Sequence, residues 1–268
     1  MTTKLVICDI DATLVNEKKE LTPRTKKALI KLHEKGIYFG IASGRPADEL
    51  RRNKDYWDLP FDFDFVVGMN GAELWDGVHQ KFYSYFMMKK EWLKETMEIM
   101  NVVECNPMIY WDGKIRCVHI DDMMIHSAST SHKELEIVRL EDLYANENAK
   151  IMFRMKEEDM PKAEAWVKAH PNPYYHGFKT QSTLLEFCDK RINKGYGLQK
   201  ICELNDMDIK DVMAFGDTSN DNDMLRVAGC GVCMINGTDD TKACSNAITT
   251  YDNDHDGLAI YLEESEIV

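Results

Sequence analysis

The chain has 268 residues, 44% of them hydrophobic and 29% charged, enough for one large core or two smaller ones. Its 33 basic and 46 acidic residues give a formal charge of −13, a surface that repels nucleic acid and anionic lipid, so any anionic substrate must be drawn in by a local cluster of cations. No apolar run approaches the ~20 residues that would cross a bilayer, and eight cysteines without regular spacing fit reduced thiols in a cytoplasm.

The chain enters a strand almost at once, so no signal peptide is expected. That strand is the apolar run Leu5 to Cys8, which reads as buried on both faces. It ends in two carboxylates, Asp9 and Asp11, followed by the small Ala12 and by Thr13. Two buried anions at a strand end are costly unless a cation or a proton compensates them. Taken alone, the stretch is equally a strand that runs out into a solvated turn.

Thr22 and Pro23 predict a helix start, as N-cap and first helical residue, and Gly36 stops the helix. A second buried strand over 37–42 delivers Ser43-Gly44-Arg45. Strand, helix and strand in this order make a right-handed parallel unit, which sets Ser43 beside Asp9 at the strand edge where open α/β sheets bind ligands. A helix is expected from Pro46 and a third strand over 63–67, ending in Asn70-Gly71-Ala72. From Tyr83 the texture changes to helices over 89–100 and 161–170 and short strands over 108–111, 115–119, 151–155 and 184–187. Asp112-Gly113 signals a hairpin between the first two of these strands.

Parallel-sheet texture returns at Asn193-Lys194-Gly195, which opens a helix reaching Leu204. A buried strand over 212–215 ends in Gly216-Asp217-Thr218-Ser219-Asn220-Asp221, with a helix beginning near Asn220. A strand over 231–234, a short helix, a strand at Ile248 and a helix from Gly257 complete the chain. The fold expected is α/β: a doubly wound, Rossmann-like parallel core over 1–82 and 191–268, with an α+β cap inserted over 83–190.

Four pieces line up in order: Asp9-x-Asp11-x-Thr13, Ser43-Gly44-Arg45, Lys194-Gly195 and Gly216-Asp217-x-x-Asn220-Asp221. Together they resemble the haloacid dehalogenase-like (HAD) phosphatases, specifically the Cof-type subgroup with a large cap. The similarity spans essentially the whole chain, and Asn70-Gly71-Ala72 also resembles this subgroup. The resemblance implies Mg²⁺-dependent hydrolysis of a small phosphomonoester, a sugar phosphate first among them, with a phosphomutase or a cofactor or nucleotide phosphatase as neighbouring activities.

By that resemblance Asp9 is the nucleophile and forms an aspartyl-phosphate, while Asp11 protonates the leaving alcohol and then activates water. Mg²⁺ is held by Asp9, Asp217 and the backbone carbonyl of Asp11, with Asp221 supporting it directly or through water. Ser43 and nearby N–H groups hold phosphoryl oxygens, and Lys194 neutralises charge between Asp9 and the phosphate. Thr13, Gly44 and Arg45 fall on the substrate side, and Asn220 is either a contact at the metal and substrate or simply the helix N-cap. The resemblance usually has Gly where this chain has Ala12. If that turn needs a positive φ, Ala costs about 1 kcal/mol there.

A different class also pairs acidic residues with Thr or Ser and Lys on a parallel sheet: the receiver-like phospho-acceptor. Receivers lack a second acidic residue two positions after the phosphorylated Asp, and they need no cap. An inactive binding protein is motivated by Ala12 alone. Three other patterns read as decoys. Asp252 to Gly257 with Glu263 matches a calcium-loop spacing, but a strand precedes it where an EF-hand needs a helix. Cys230-x-x-Cys233 enters a strand rather than a helix, and Asn236-Gly237-Thr238 is a glycosylation sequon without meaning in a reducing compartment.

Overall fold

Leu5, Val6, Ile7 and Cys8 are all fully buried, and they form the central strand β1 (Leu5–Cys8). A computed structural model describes residues 3–268. The chain divides into two compact units: one runs up to Ser84 and resumes over Asn193–Val268, and the other is Tyr85–Ile192. Among the described residues no helix is long and apolar enough to cross a membrane.

The first unit continues with the helix Pro23–Glu34 and strands β2 (Tyr38–Ala42), β3 (Phe65–Gly68), β4 (Glu73–Asp76) and β5 (Lys81–Ser84). The second contributes β6 (Asn106–Trp111), β7 (Lys114–Cys117), β8 (Leu135–Ile137), β9 (Lys150–Arg154), β10 (Tyr175–Gln181) and β11 (Leu184–Asp189). The helix Lys194–Leu204 then returns to the first unit, followed by β12 (Val212–Gly216), β13 (Cys230–Cys233) and β14 (Ala247–Ile248).

The sheet of the first unit has the order β14-β13-β12-β1-β2-β3-β4-β5. All pairings from β14 to β3 are parallel, whereas β3–β4 and β4–β5 are antiparallel. The register sets Cys8 opposite both Ile41 and Phe215, so β1, β2 and β12 end side by side. Three loops therefore leave the sheet at one edge, and they begin with Asp9, Ser43 and Asp217. Val6, Cys8, Phe39, Ile41 and Phe215 share a core with Leu29 and Leu32 of the first helix. Thr22 caps that helix by accepting from the Thr25 N–H, with Pro23 at its first position, and Gly36 beyond its end has φ 72°.

The antiparallel pair β4–β5 lies where the sequence signals no strands, because its outer strand is polar and Phe82 is exposed at the sheet edge. Trp75 and Phe82 pack ring to ring, and the Arg51 guanidinium lies 3.6 Å over the Trp75 ring. The helix expected from Pro46 is two short pieces, Ala47–Leu50 and Asn53–Tyr56.

In the second unit the sheet order is β10-β11-β9-β6-β7-β8, antiparallel except for β7–β8. Alternation sorts its two faces. Ile109, Ile151, Phe153, Leu185 and Phe187 pack with Leu93, Met97 and Met160 of two helices, while Met108, Met152 and Leu184 pack with Met124 of the helix Asp122–Thr130. Asp112 and Gly113 both have positive φ, 50° and 73°, which matches the hairpin turn expected there.

Candidate active site

The Asp9 carboxylate lies at the end of β1 in a site that water barely reaches (8% exposed). Lys194, fully buried in the first turn of its helix, aims its ammonium at two carboxylates, with Nζ 2.5 Å from Asp9 Oδ1 and 2.6 Å from Asp221 Oδ1. Asn193 caps that helix through the Tyr196 N–H, which fixes where Lys194 leaves the backbone. Two glycines let neighbouring chain come close. A Cβ on Gly71, at φ 108°, would sit 2.4 Å from the Asn193 carbonyl oxygen, and one on Gly195 would sit 2.6 Å from the Asp223 carbonyl oxygen.

Asp217 leaves β12 beside Asp9. Its Oδ1 accepts from the Thr13 hydroxyl at 3.1 Å. Asp9, Asp217 and Asp221 each offer an oxygen within 4.8 Å of the others'. Burial pushes the Asp9 carboxyl up to about 8; Lys194 opposes the rise, and Asp221 and Asp217 add to it. Burial, with Asp221 beside it, likewise pushes Asp217 up to about 6, against the Thr13 hydrogen bond. Burial works against the Lys194 charge as well, but Asp221 and Asp9 outweigh it and hold the ammonium above its ordinary range. Once all three carboxylates are ionised, the one ammonium leaves two negative charges uncompensated in a mostly buried cluster of oxygen donors. That donor set fits a hard divalent cation such as Mg²⁺.

Asp221 differs from the other two. Besides Lys194 on Oδ1, its Oδ2 accepts the backbone N–H groups of Asp217 (3.0 Å) and Thr218 (3.1 Å). Both oxygens are engaged in holding Lys194 and the turn. Asn220, expected as a ligand or a cap, is exposed inside the short 3₁₀ turn Ser219–Asp221, and its Oδ1 accepts the Thr218 hydroxyl at 2.7 Å. The N-cap reading is corrected: Thr218 is the N-cap of that turn, and Asp221 stands at the N-cap of the helix Asn222–Val227.

Asp11 stands at the mouth of the cluster, 42% exposed at its side chain, between two cations. Lys19 Nζ is 2.8 Å from Oδ1, and Arg45 donates to Oδ2 at 3.2 Å. Burial works to raise the Asp11 carboxyl, but Arg45 and Lys19 outweigh it and hold it below the usual range. Arg45 is thus engaged with Asp11 rather than standing free for a ligand. Ser43 is buried, with its Oγ accepting the Arg45 N–H at 3.4 Å and its carbonyl accepting the Asn70 N–H at 3.0 Å.

Asn70 is a site residue that the sequence reading passed over. It is 8% exposed at φ 56°, its side chain would touch a Cβ on Gly44, and its buried Oδ1 has no hydrogen-bond partner. The signal available was its place in Asn70-Gly71-Ala72, directly after a buried strand. Ala12 has φ 58°, so the turn after Asp11 does require the left-handed region.

The decoys resolve by their contacts. Cys230 and Cys233 lie in β13, and burial pushes the Cys233 thiol up to about 11, away from redox reactivity. Asn236 Nδ2 donates to the Ala12 carbonyl at 2.9 Å. The Asp252 to Asp256 run turns its polar groups onto the chain between Val15 and Thr25.

The sequence model of the haloacid dehalogenase-like hydrolases matches residues 6–262. A 5-amino-6-(5-phospho-D-ribitylamino)uracil phosphatase of Bacillus subtilis is 27% identical over 270 residues, which cover 97% of this chain and 96% of that protein. Among solved structures, a haloacid dehalogenase-like hydrolase from Bacteroides thetaiotaomicron superposes with a TM-score of 0.87 at 25% identity, covering 98% of this chain and all of that one. A HAD subclass IIB sugar phosphatase superposes with a TM-score of 0.84 at 23% identity, over 99% of this chain and 100% of its own.

Proposed function

This chain belongs to the haloacid dehalogenase-like hydrolases and is a phosphatase, and from that premise we propose that it hydrolyses a small phosphorylated metabolite through a covalent aspartyl-phosphate on Asp9. The observation that carries this reading is the buried Asp9 carboxylate, paired with Lys194 and set against Asp217, at the strand edge where parallel sheets bind ligands. An in-line displacement at phosphorus needs a carboxylate that can approach an anion and cations to spread its charge.

In this scheme Asp9, Asp217 and the backbone carbonyl of Asp11 would hold Mg²⁺, which would supply positive charge where one anion approaches another. Lys194 shares its ammonium between Asp9 and Asp221 and keeps the nucleophile oriented. Asp221 serves as the anchor of Lys194. The Ser43 hydroxyl and neighbouring N–H groups receive phosphoryl oxygens, and Asn70 offers its unpartnered Oδ1 as an acceptor for a hydroxyl of the substrate. Asp11 transfers protons: one to the leaving alcohol, then one taken from the water that cleaves the acyl-phosphate. Paired with Lys19 and Arg45 it stands as a carboxylate, the form the second step uses, and it takes up a proton from solvent before it serves the first.

A phosphate on a sugar or polyol is the first substrate class to try. The ribityl phosphate in the name of the Bacillus relative and the sugar phosphatase among the solved structures both support it. The acidic cluster lies wholly in the first unit.

The test is a trapping experiment. With Asp11→Asn and nitrophenyl phosphate, whose leaving group needs no proton, phosphate should accumulate on Asp9 in a hydroxylamine-labile form. Asp9→Asn should abolish both labelling and turnover, and a loss of about 10³-fold corresponds to about 4 kcal/mol. Substantial turnover by Asp9→Asn overturns the mechanism.

A further inference from the structure

The chain between Val15 and Thr22 forms a compact turn, and one of its side chains, that of Lys19, reaches Asp11. Asn16 organises it: its N–H donates to the Glu20 carbonyl at 3.1 Å, its carbonyl accepts the Lys19 N–H at 2.9 Å, and its Oδ1 accepts the Glu20 N–H at 2.9 Å. Lys19 sits at φ 64°, a conformation that would suit Gly or Asn better. From there its side chain, 63% exposed, reaches Asp11 Oδ1 at 2.8 Å. Arg45 holds the other oxygen, so the carboxylate is gripped from both sides.

The same turn is fastened from outside. Asn253 Nδ2 donates to the Val15 carbonyl at 2.9 Å, and Asp254 Oδ1 accepts the Glu17 N–H at 2.8 Å. Asp256 Oδ1 accepts the Thr22 hydroxyl, and Thr25 approaches it at 3.5 Å. Asp252 caps its own turn through the His255 N–H at 2.9 Å. The run whose spacing matches a calcium loop therefore has its side chains committed to protein groups, most of them on the turn that carries Lys19.

We infer that Lys19 is a positioning residue for Asp11, and that the Asp252–Asp256 run is the latch that holds Lys19 in place. Lys19 touches neither the proposed nucleophile nor Asp217; it acts by fixing the direction in which Asp11 presents its oxygens. This rests on the proposed acid–base role of Asp11, so the experiment separates the two. The exposure of the pair limits the size of the effect.

The full-length protein is assayed with nitrophenyl phosphate and with an alkyl phosphate such as glycerol phosphate. Lys19→Met should lower kcat by about three- to tenfold with KM nearly unchanged, and Lys19→Arg should restore most of it. In an Asp11→Asn background, Lys19→Met should change the remaining rate less than about twofold, because the two changes act on one group. Asp254→Ala, which removes the acceptor for the Glu17 N–H, should slow the wild type but add nothing to Lys19→Met. Thermal melts identify any variant that loses rate by unfolding. Wild-type kcat in Lys19→Met, or an equal loss with and without Asp11, overturns the positioning role. Independent losses from Asp254→Ala and Lys19→Met overturn the latch. If Asp9→Asn itself keeps turning over, the phosphatase mechanism has failed, whatever Lys19 does.

Discussion

Asp221, itself fully buried like Lys194, accepts the Lys194 ammonium at 2.6 Å on one oxygen and two backbone N–H groups on the other. A motif of Gly216-Asp217-x-x-Asn220-Asp221 thus supplies two carboxylates with different employment. Asp217 faces the open cluster, whereas Asp221 ties Lys194 to the turn that carries Asp217.

Removing one partner of a buried ion pair leaves the other charge stranded. Asp221→Asn should cost about 3–5 kcal/mol of stability in urea denaturation, and it should cost most of the turnover because Lys194 loses its anchor. A variant of near wild-type stability and kcat would show that Lys194 is held by Asp9 alone.

Ala12 has φ 58°, where a Cβ crowds the following carbonyl. Ala12→Gly relieves that strain but loosens the unfolded chain, so the net gain should be about 0.5–1 kcal/mol, read as a Tm higher by about 1–4 °C. Activity should not fall, since Ala12 contributes only its carbonyl, which accepts from Asn236. A lower Tm would mean the turn is not strained as described.

This strain was legible only as a condition in the sequence, because backbone φ is set by the finished turn, in which the Ile10 carbonyl accepts the Leu14 and Val15 N–H groups and Asn236 holds the Ala12 carbonyl. The strand ends were more readable. Leu5 to Cys8, residues 37–42 and residues 212–215 are mostly apolar runs whose next polar residues are Asp9, Ser43 and Asp217, and parallel pairing then brings those three to one edge. The pair β4–β5 was not readable, since an exposed edge strand such as Lys81–Ser84 carries no alternation. Nor was the Lys19 contact with Asp11, or the use of the Asp252–Asp256 run, because each joins segments through side chains whose reach depends on the finished turn.

The folded-state shifts of Asp9, up to about 8, and Asp217, up to about 6, set a pH dependence for the metal-free protein. Between about pH 4 and 8 the native state binds protons that the unfolded chain has released, so stability falls as pH rises through that window. In excess chelator the Tm should decline from pH 5 to pH 8. Mg²⁺ should raise it more at pH 8 than at pH 5, where protons compete for the same oxygens. A flat profile in chelator, or a Mg²⁺ effect that does not grow with pH, would count against these carboxylates as the metal site.

Thr13 allows the sharpest separation of metal and substrate roles. The resemblance sets it on the substrate side, whereas its buried hydroxyl donates to Asp217 Oδ1 at 3.1 Å. A hydrogen bond to a metal-ligating carboxylate fixes the orientation of the ligand, and its loss typically costs 10–100-fold in metal affinity. Thr13→Val keeps the volume and the branching and removes only the donor. If the hydroxyl serves Asp217, the Mg²⁺ concentration for half-maximal activity should rise about tenfold. At saturating Mg²⁺, kcat should then return to within about threefold of wild type with KM unchanged. Thr13→Ser should behave as wild type. If the hydroxyl serves the substrate instead, Thr13→Val should raise KM at saturating Mg²⁺ and leave the metal requirement where it was.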